Sequence, residues 1–158
     1  MRKKITKKWL KRIAALSGAL VMGAVSLTPN VMGGNISDTP WSFSYATSGS
    51  GYASPGRYKL DDSSVYIKCK KATLTSGSGS TSSLYFKATA YGSYNIDGTY
   101  SNITYNGKKS PTYSIGVGKV KYMTNYINEA GRNCARIYYQ SGNGGHVKFS
   151  GVWSPDSV

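Results

Sequence analysis

The chain has 158 residues and carries 20 Lys and Arg against six Asp and Glu, a formal net charge of +14, with one His, two Cys and 14 Tyr. A single histidine excludes a His-rich metal site, and so few acids leave little material for a carboxylate-based active site. The positive field favours anionic partners.

In chain order, Arg2, Lys3, Lys4, Lys7, Lys8, Lys11 and Arg12 precede an uncharged run from Ile13 to Leu27, the order that a secretory signal peptide requires. The run is diluted by Ser17, Gly18 and Gly23, and it falls short of the roughly 20 residues of a permanent membrane span. Thr28-Pro29-Asn30 breaks a helix, and Val31-Met32-Gly33 offers a small residue at the cleavage position. Residues 1–33 are therefore expected to be removed after Gly33, leaving 34–158 as a single secreted domain. A retained N-terminal anchor is the competing reading. No lipobox cysteine follows the apolar run, so the expected product is extracellular, either free or wall-associated without a covalent anchor. Seven of the 20 basic residues lie in this leader, which leaves 13 against six acids and a net charge of about +7. Some 125 residues suffice for one domain with a core and are too few for two.

The rest of the chain alternates apolar and polar residues with period two between clusters of Gly, Ser, Asn and Thr, which predicts strands and turns with almost no helix. Trp41, Phe43 and Tyr45 share one face of a first strand, and Arg57 to Leu60 follows the Pro55-Gly56 turn. Ser64 to Leu74 is the clearest strand, with Val65, Ile67 and Cys69 on the buried face and Tyr66, Lys68 and Lys70 on the other. A low-complexity stretch from Ser76 to Ser83 leads into Leu84 to Tyr91, where Leu84, Phe86, Ala88 and Ala90 point inward and Tyr85, Lys87, Thr89 and Tyr91 outward.

Residues 92–111 hold tight-turn signals at Asp97-Gly98 and Asn106-Gly107, consistent with either a hairpin excursion or a long loop. Tyr113, Ile115 and Val117 open a strand in which Gly116, Gly118 and the shift to Val120 and Tyr122 suggest a bulge. From Met123 the chain either continues as strand, the favoured reading, or makes one helical turn capped by Gly131. Cys134 to Tyr139 and Val147 to Trp153 close the domain around Gly142-Asn143-Gly144-Gly145. About seven strands predict an all-β fold, a small antiparallel β-sandwich or partly open barrel.

Cys69 and Cys134 lie in a chain expected to reach an oxidising compartment. A disulfide between them is the natural reading. It would close a loop of about 65 residues, with roughly 4 kcal/mol of stabilisation in the chain-entropy model. Two separate buried thiols are the alternative.

Arg57-Tyr58-Lys59-Leu60-Asp61-Asp62-Ser63-Ser64-Val65-Tyr66-Ile67-Lys68-Cys69, Thr124-Asn125-Tyr126-Ile127-Asn128-Glu129-Ala130-Gly131 and Gly151-Val152-Trp153-Ser154-Pro155-Asp156-Ser157 together resemble a group of small secreted, β-rich proteins of Gram-positive bacteria. The resemblance implies export and a Gram-positive source. It carries no activity.

Chemistry can be narrowed by subtraction. Any Ser-His-Asp arrangement would have to use His146, which sits beside Gly144-Gly145 without a Gly-x-Ser-x-Gly elbow. The acids of residues 34–158 are Asp38, Asp61, Asp62, Asp97, Glu129 and Asp156. Asp61 and Asp62 would point oppositely on a strand and read as turn residues, as does Asp97. Asp156 merely follows Pro155, and Glu129 is expected to pair with Arg132 across a turn. Neither a phosphate-cradling Gly-x-x-x-x-Gly-Lys motif nor a Ca²⁺ loop is present. No catalytic residue, metal or cofactor is therefore expected.

The abundant chemistry is tyrosine beside lysine. Tyr66 with Lys68 and Lys70, and Tyr85 with Lys87, place rings that can stack on sugars next to ammonium groups that can meet phosphate or carboxylate. Tyrosine also simply favours strands, and edge lysines discourage aggregation. Arg57, Lys59, Lys119, Lys121, Arg136 and Lys148 extend this surface if the strand order allows. The expected function is non-catalytic binding of an anionic polymer or glycan of the bacterial cell envelope by a monomer, with no nucleic-acid partner. The alternative is a secreted antimicrobial, bacteriocin-like protein drawn by charge to other cells' surfaces, and a structural matrix component is a third class.

Overall fold

The computed structural model describes residues 35–45 and 51–157. The expected leader over residues 1–33 and its cleavage after Gly33 lie outside the described residues.

The strands are β1 (Thr39–Tyr45), β2 (Gly51–Ala53), β3 (Arg57–Tyr58), β4 (Val65–Leu74), β5 (Tyr85–Ser93), β6 (Thr104–Tyr105), β7 (Lys108–Lys109), β8 (Thr112–Gly116), β9 (Val120–Met123), β10 (Cys134–Ser141) and β11 (Val147–Ser154). The described residues contain no helix. All pairings are antiparallel: β1-β11-β4-β9 form one sheet, and β2-β10-β5-β8 the other with β3 also on β10. The fold is thus all-β and sandwich-like, not a closed barrel, with eleven short strands among the described residues in place of about seven.

Alternation explains how the sheets meet. Trp41, Phe43 and Tyr45 are buried on β1 while Ser42 and Ser44 are exposed. Phe43 stacks on Tyr139 of β10 at 4.7 Å and meets Phe86 of β5 edge-on at 5.2 Å, and Trp41 lies 5.2 Å from Phe86. These contacts cross from one sheet to the other, so aromatic inner faces fill the space between aligned sheets. Val65, Ile67, Leu84, Phe86, Ala88 and Ala90 are buried as alternation requires, but Thr89 is buried as well, its hydroxyl 2.7 Å from that of Thr112.

Three local expectations are resolved. Residues 92–111 include a small hairpin, in which β6 and β7 are joined by Asn106-Gly107 with φ of 49° and 76°, the signature of a type I′ turn. The stretch from Tyr113 to Tyr122 is not one bulged strand. It divides into β8 and β9, which join different sheets, and the chain reverses at Gly118, whose φ is 74°.

The favoured continuation of strand past Met123 is also overturned. Here the buried Asn125 side chain accepts from the Ile127 amide at 3.3 Å and donates to the Ser63 carbonyl at 3.1 Å. That switches the chain into a turn, in which Ala130 donates to Tyr126 and Gly131 to Asn128. Gly131 takes φ 71° to end it, a left-handed conformation that costs glycine little.

The bulge lies in β4. Opposite β11, Ser150 pairs with Lys71 and Gly151 with Cys69, so Lys70 is the extra residue. Gly151 is required there, because a Cβ would stand 1.9 Å from the Lys68 carbonyl oxygen and 2.8 Å from the Trp41 ring.

The expected disulfide is corrected: Cys69 and Cys134 are both free and buried. Cys69 faces the space between the sheets and belongs to the core cluster. Cys134 has the opposite parity from Ala135, Ile137 and Tyr139, which point into that core, and so lies on the far side of the second sheet. Its sulfur is 3.4 Å from Asn133 Oδ1. A bridge would have to pass through a sheet, and disulfide geometry tolerates no such separation.

Burial pushes the Cys69 thiol up to about 11. The native protein is accordingly expected to resist alkylation at Cys69 near pH 8, whereas the unfolded chain takes up label at both cysteines without prior reduction; a labelling mass spectrum checks both statements. Because the folded value is raised, the stabilising contribution is complete below about pH 9. It declines as pH rises through about 11, by about 1.4 kcal/mol per pH unit over the titration interval.

Candidate functional site

The first-sheet outer face is built on β4 and its neighbours. Lys68 pairs with Val152 on one side and Val120 on the other, Tyr66 with Ser154 and Tyr122, and Thr73 with Lys148. Residues paired across neighbouring strands project to the same side, so Tyr66, Lys68, Lys148 and Tyr122 share this face. The bulge adds to it: Lys70 and Lys71 are both exposed in succession before alternation resumes with buried Ala72. Lys68, Lys70, Lys71 and Lys148 thus occupy adjacent strands about 5 Å apart. None of the acidic residues Asp38, Asp61, Asp62, Asp97, Glu129 and Asp156 lies in a strand.

At one end of this face Tyr66 and Tyr122 stand with ring centroids 5.6 Å apart. With Ile36, Asp38, Ser154, Asp156 and Ser157 they line a cleft of about 130 Å³, smaller than a typical drug-sized pocket and, with two aspartates in its wall, suited to a sugar edge rather than to an anion. Burial, followed by the charge of Asp38 and the neighbouring Tyr122, raises the Tyr66 hydroxyl above its ordinary value. It remains a neutral hydrogen-bonding phenol.

Tyr85 and Lys87 do not join this group. They lie on β5 in the second sheet, on its outer side, and face the opposite way from Tyr66, Lys68 and Lys70. Their neighbours already have internal partners. Tyr91 stacks on Tyr138 at 5.0 Å, and Arg136 lies 3.9 Å over the Tyr100 ring. Of the five tyrosines and lysines singled out from sequence, three share a face, and Lys71, Lys148 and Tyr122 complete it.

The remaining cations are dispersed. Lys121 lies over Tyr113 at 4.9 Å, and the Arg57 guanidinium bonds Thr39 Oγ1 and Ser37 Oγ, each at 2.7 Å, as well as Asn35 Oδ1 and the Ser37 carbonyl. The expected Glu129–Arg132 pair is absent from the ion pairs of the described residues; Arg132 instead stacks 3.4 Å over Tyr94 and Glu129 is exposed. His146 is exposed at the start of β11, with φ 56°.

Lys59 contradicts its assignment to the basic surface. Its side chain and that of Asp156 are both 0% exposed. Nζ donates to Asp156 Oδ1 at 2.9 Å, to the Ser63 carbonyl at 2.6 Å and to the Pro155 carbonyl at 3.1 Å, and Asp61 Oδ1 is 3.7 Å away. The other oxygen of Asp156 accepts from the backbone amides of Asn35 at 2.6 Å and Leu60 at 3.1 Å. Asp61 also serves its expected turn, accepting from the Ser63 amide at 2.9 Å. Burial alone would raise its carboxyl, but hydrogen bonds with Ser63 and Asp156 and the charge of Lys59 outweigh it and hold it below the ordinary value.

Fold and faces define a small all-β sandwich domain with one lysine-rich outer face and one buried polar cluster. The chain belongs to the family described as a protein of unknown function, DUF2712, whose model matches residues 28–157. No curated protein and no solved structure matches it.

Proposed function

We propose that the protein is exported and binds, without catalysis, an anionic polymer or glycan of the bacterial cell envelope through the outer face of the first sheet. The observation that carries this reading is the row of Lys68, Lys70, Lys71 and Lys148 along the face that ends in the Tyr66–Tyr122 pair, on strands free of acidic residues. A repeating phosphate or carboxylate polymer can lie along such a row, each charge meeting an ammonium group, while a sugar ring packs against a tyrosine at the cleft. Arrangements of this kind gain affinity from several weak charge contacts and lose it in salt. The export signal over residues 1–33 agrees with a target outside the cell.

The test is a pull-down of the purified protein with isolated Gram-positive cell walls, before and after extraction of teichoic acid, at low and high salt. Binding should disappear on extraction and weaken in salt. Reversing two charges, Lys68→Glu with Lys71→Glu, should weaken binding roughly tenfold, taking about 0.7 kcal/mol for each exposed charge contact. Lys87→Glu, on the opposite face, should leave it nearly unchanged. Equal loss from both variants, or no wall binding in any condition, would defeat this assignment.

A further inference from the structure

The Lys59–Asp156 contact has more parts than a buried ion pair needs. Two opposite charges removed from water are costly to keep, and a close apolar substitute is often as stable. Here the amine nitrogen is held 2.9 Å from Asp156 Oδ1 and is fixed there by two further acceptors, the Ser63 and Pro155 carbonyls. A second carboxylate, Asp61, stands 3.7 Å from the same nitrogen. The far oxygen of Asp156 is held by two backbone N–H groups, of Asn35 and Leu60. These are a nucleophile, an electrophile, a proton carrier and a pair of oxyanion donors; the two reacting side chains are fully buried, and Asp61, 34% exposed, stands between them and solvent.

We propose that Lys59 and Asp156 condense in the folded protein to a side-chain amide, with Asp61 carrying the proton and the Asn35 and Leu60 N–H groups holding the oxyanion. Within the pair, a proton passes from the ammonium to the carboxylate, leaving a neutral amine and a neutral acid as the reacting forms. The lone pair of Nζ attacks Cγ of Asp156, the carbon–oxygen double bond opens, and negative charge gathers on the oxygen facing the Asn35 and Leu60 amides. Asp61 takes a proton from the nitrogen and returns it to the departing hydroxyl. The carbon–oxygen single bond breaks, one water leaves, and the double bond re-forms to give the amide. No oxidant or cofactor is needed, since ammonium and carboxylate become amide and water. The remaining N–H keeps the Ser63 carbonyl as its acceptor. The link would join residues 97 apart and supply the covalent tie that the two free cysteines do not.

The purified full chain, denatured and measured by intact mass spectrometry, should weigh one water less than its sequence. Proteolysis should leave the peptides bearing Lys59 and Asp156 joined. Lys59→Arg and Asp156→Ala should each restore the sequence mass and separate the peptides. Asp61→Asn keeps both reacting groups and should leave much of the population unlinked. A wild-type chain at sequence mass after prolonged incubation would overturn the proposal. So would a water loss that maps elsewhere, such as a succinimide at Asp97-Gly98.

Discussion

Replacing Lys59 with methionine is expected to lower the unfolding free energy by about 3–5 kcal/mol, the usual cost of leaving one member of a buried pair uncompensated. Asp156 would retain its two backbone donors from Asn35 and Leu60 but would stand fully buried beside an apolar chain. Stabilities of small domains are about 5–15 kcal/mol, so the variant would be marginal. Adding Asp156→Asn should recover part of the loss, because a neutral amide oxygen can still accept from both amides without an unpaired charge. Urea unfolding of the single and double variants measures the effect through the midpoint. An unchanged midpoint in Lys59→Met would show that this cluster does not hold the domain together. Loss of the ion pair and loss of the amide have the same sign here, and the intact mass separates them.

Phe43→Ala is expected to be comparably severe, about 3–5 kcal/mol. Phe43 sits on β1 among Trp41, Tyr45, Phe86, Tyr139 and Phe149, with ring centroids 4.7–6.1 Å away, and, like Trp41, it meets both Tyr139 and Phe86 of the second sheet. Truncation removes its transfer free energy and opens a cavity lined by rigid rings, which collapse poorly into the space. Phe43→Leu refills much of that volume and should cost clearly less. If the alanine and leucine variants unfold at the same urea midpoint as the parent, the aromatic packing is not the source of stability described here.

Alternation along each strand identified most of the buried residues. Trp41, Phe43 and Tyr45, then Val65, Ile67 and Cys69, then Phe86, Ala88 and Ala90 are buried as the period of two requires, because parity is a local property of extended backbone. Strand order is not local. The fact that β4 and β5 enter different sheets separates Tyr85 and Lys87 from Tyr66, Lys68 and Lys70, and it follows from pairings between distant strands. Unbroken alternation from Cys69 would turn Lys71 inward, and the bulge at Lys70 turns it outward. The partnership of Lys59 with Asp156 spans most of the domain. Neither residue announces it locally, since lysine in a basic chain and aspartate after proline both have ordinary surface explanations. The same non-locality rules out the disulfide: compartment and loop length favour it, but neither carries the fact that the two side chains lie on different sides of the second sheet.

Under the proposed function, the outer face of β4, β9 and β11 is the binding surface. Titrating isotope-labelled protein with a polyglycerol phosphate polymer, and following backbone amide shifts residue by residue, tests it most directly. Salt-sensitive shifts should concentrate at Tyr66, Lys68, Lys70, Lys71, Tyr122 and Lys148, with Tyr85 and Lys87 nearly still. Shifts centred on β5 and β10, or none at any polymer concentration, would contradict the account.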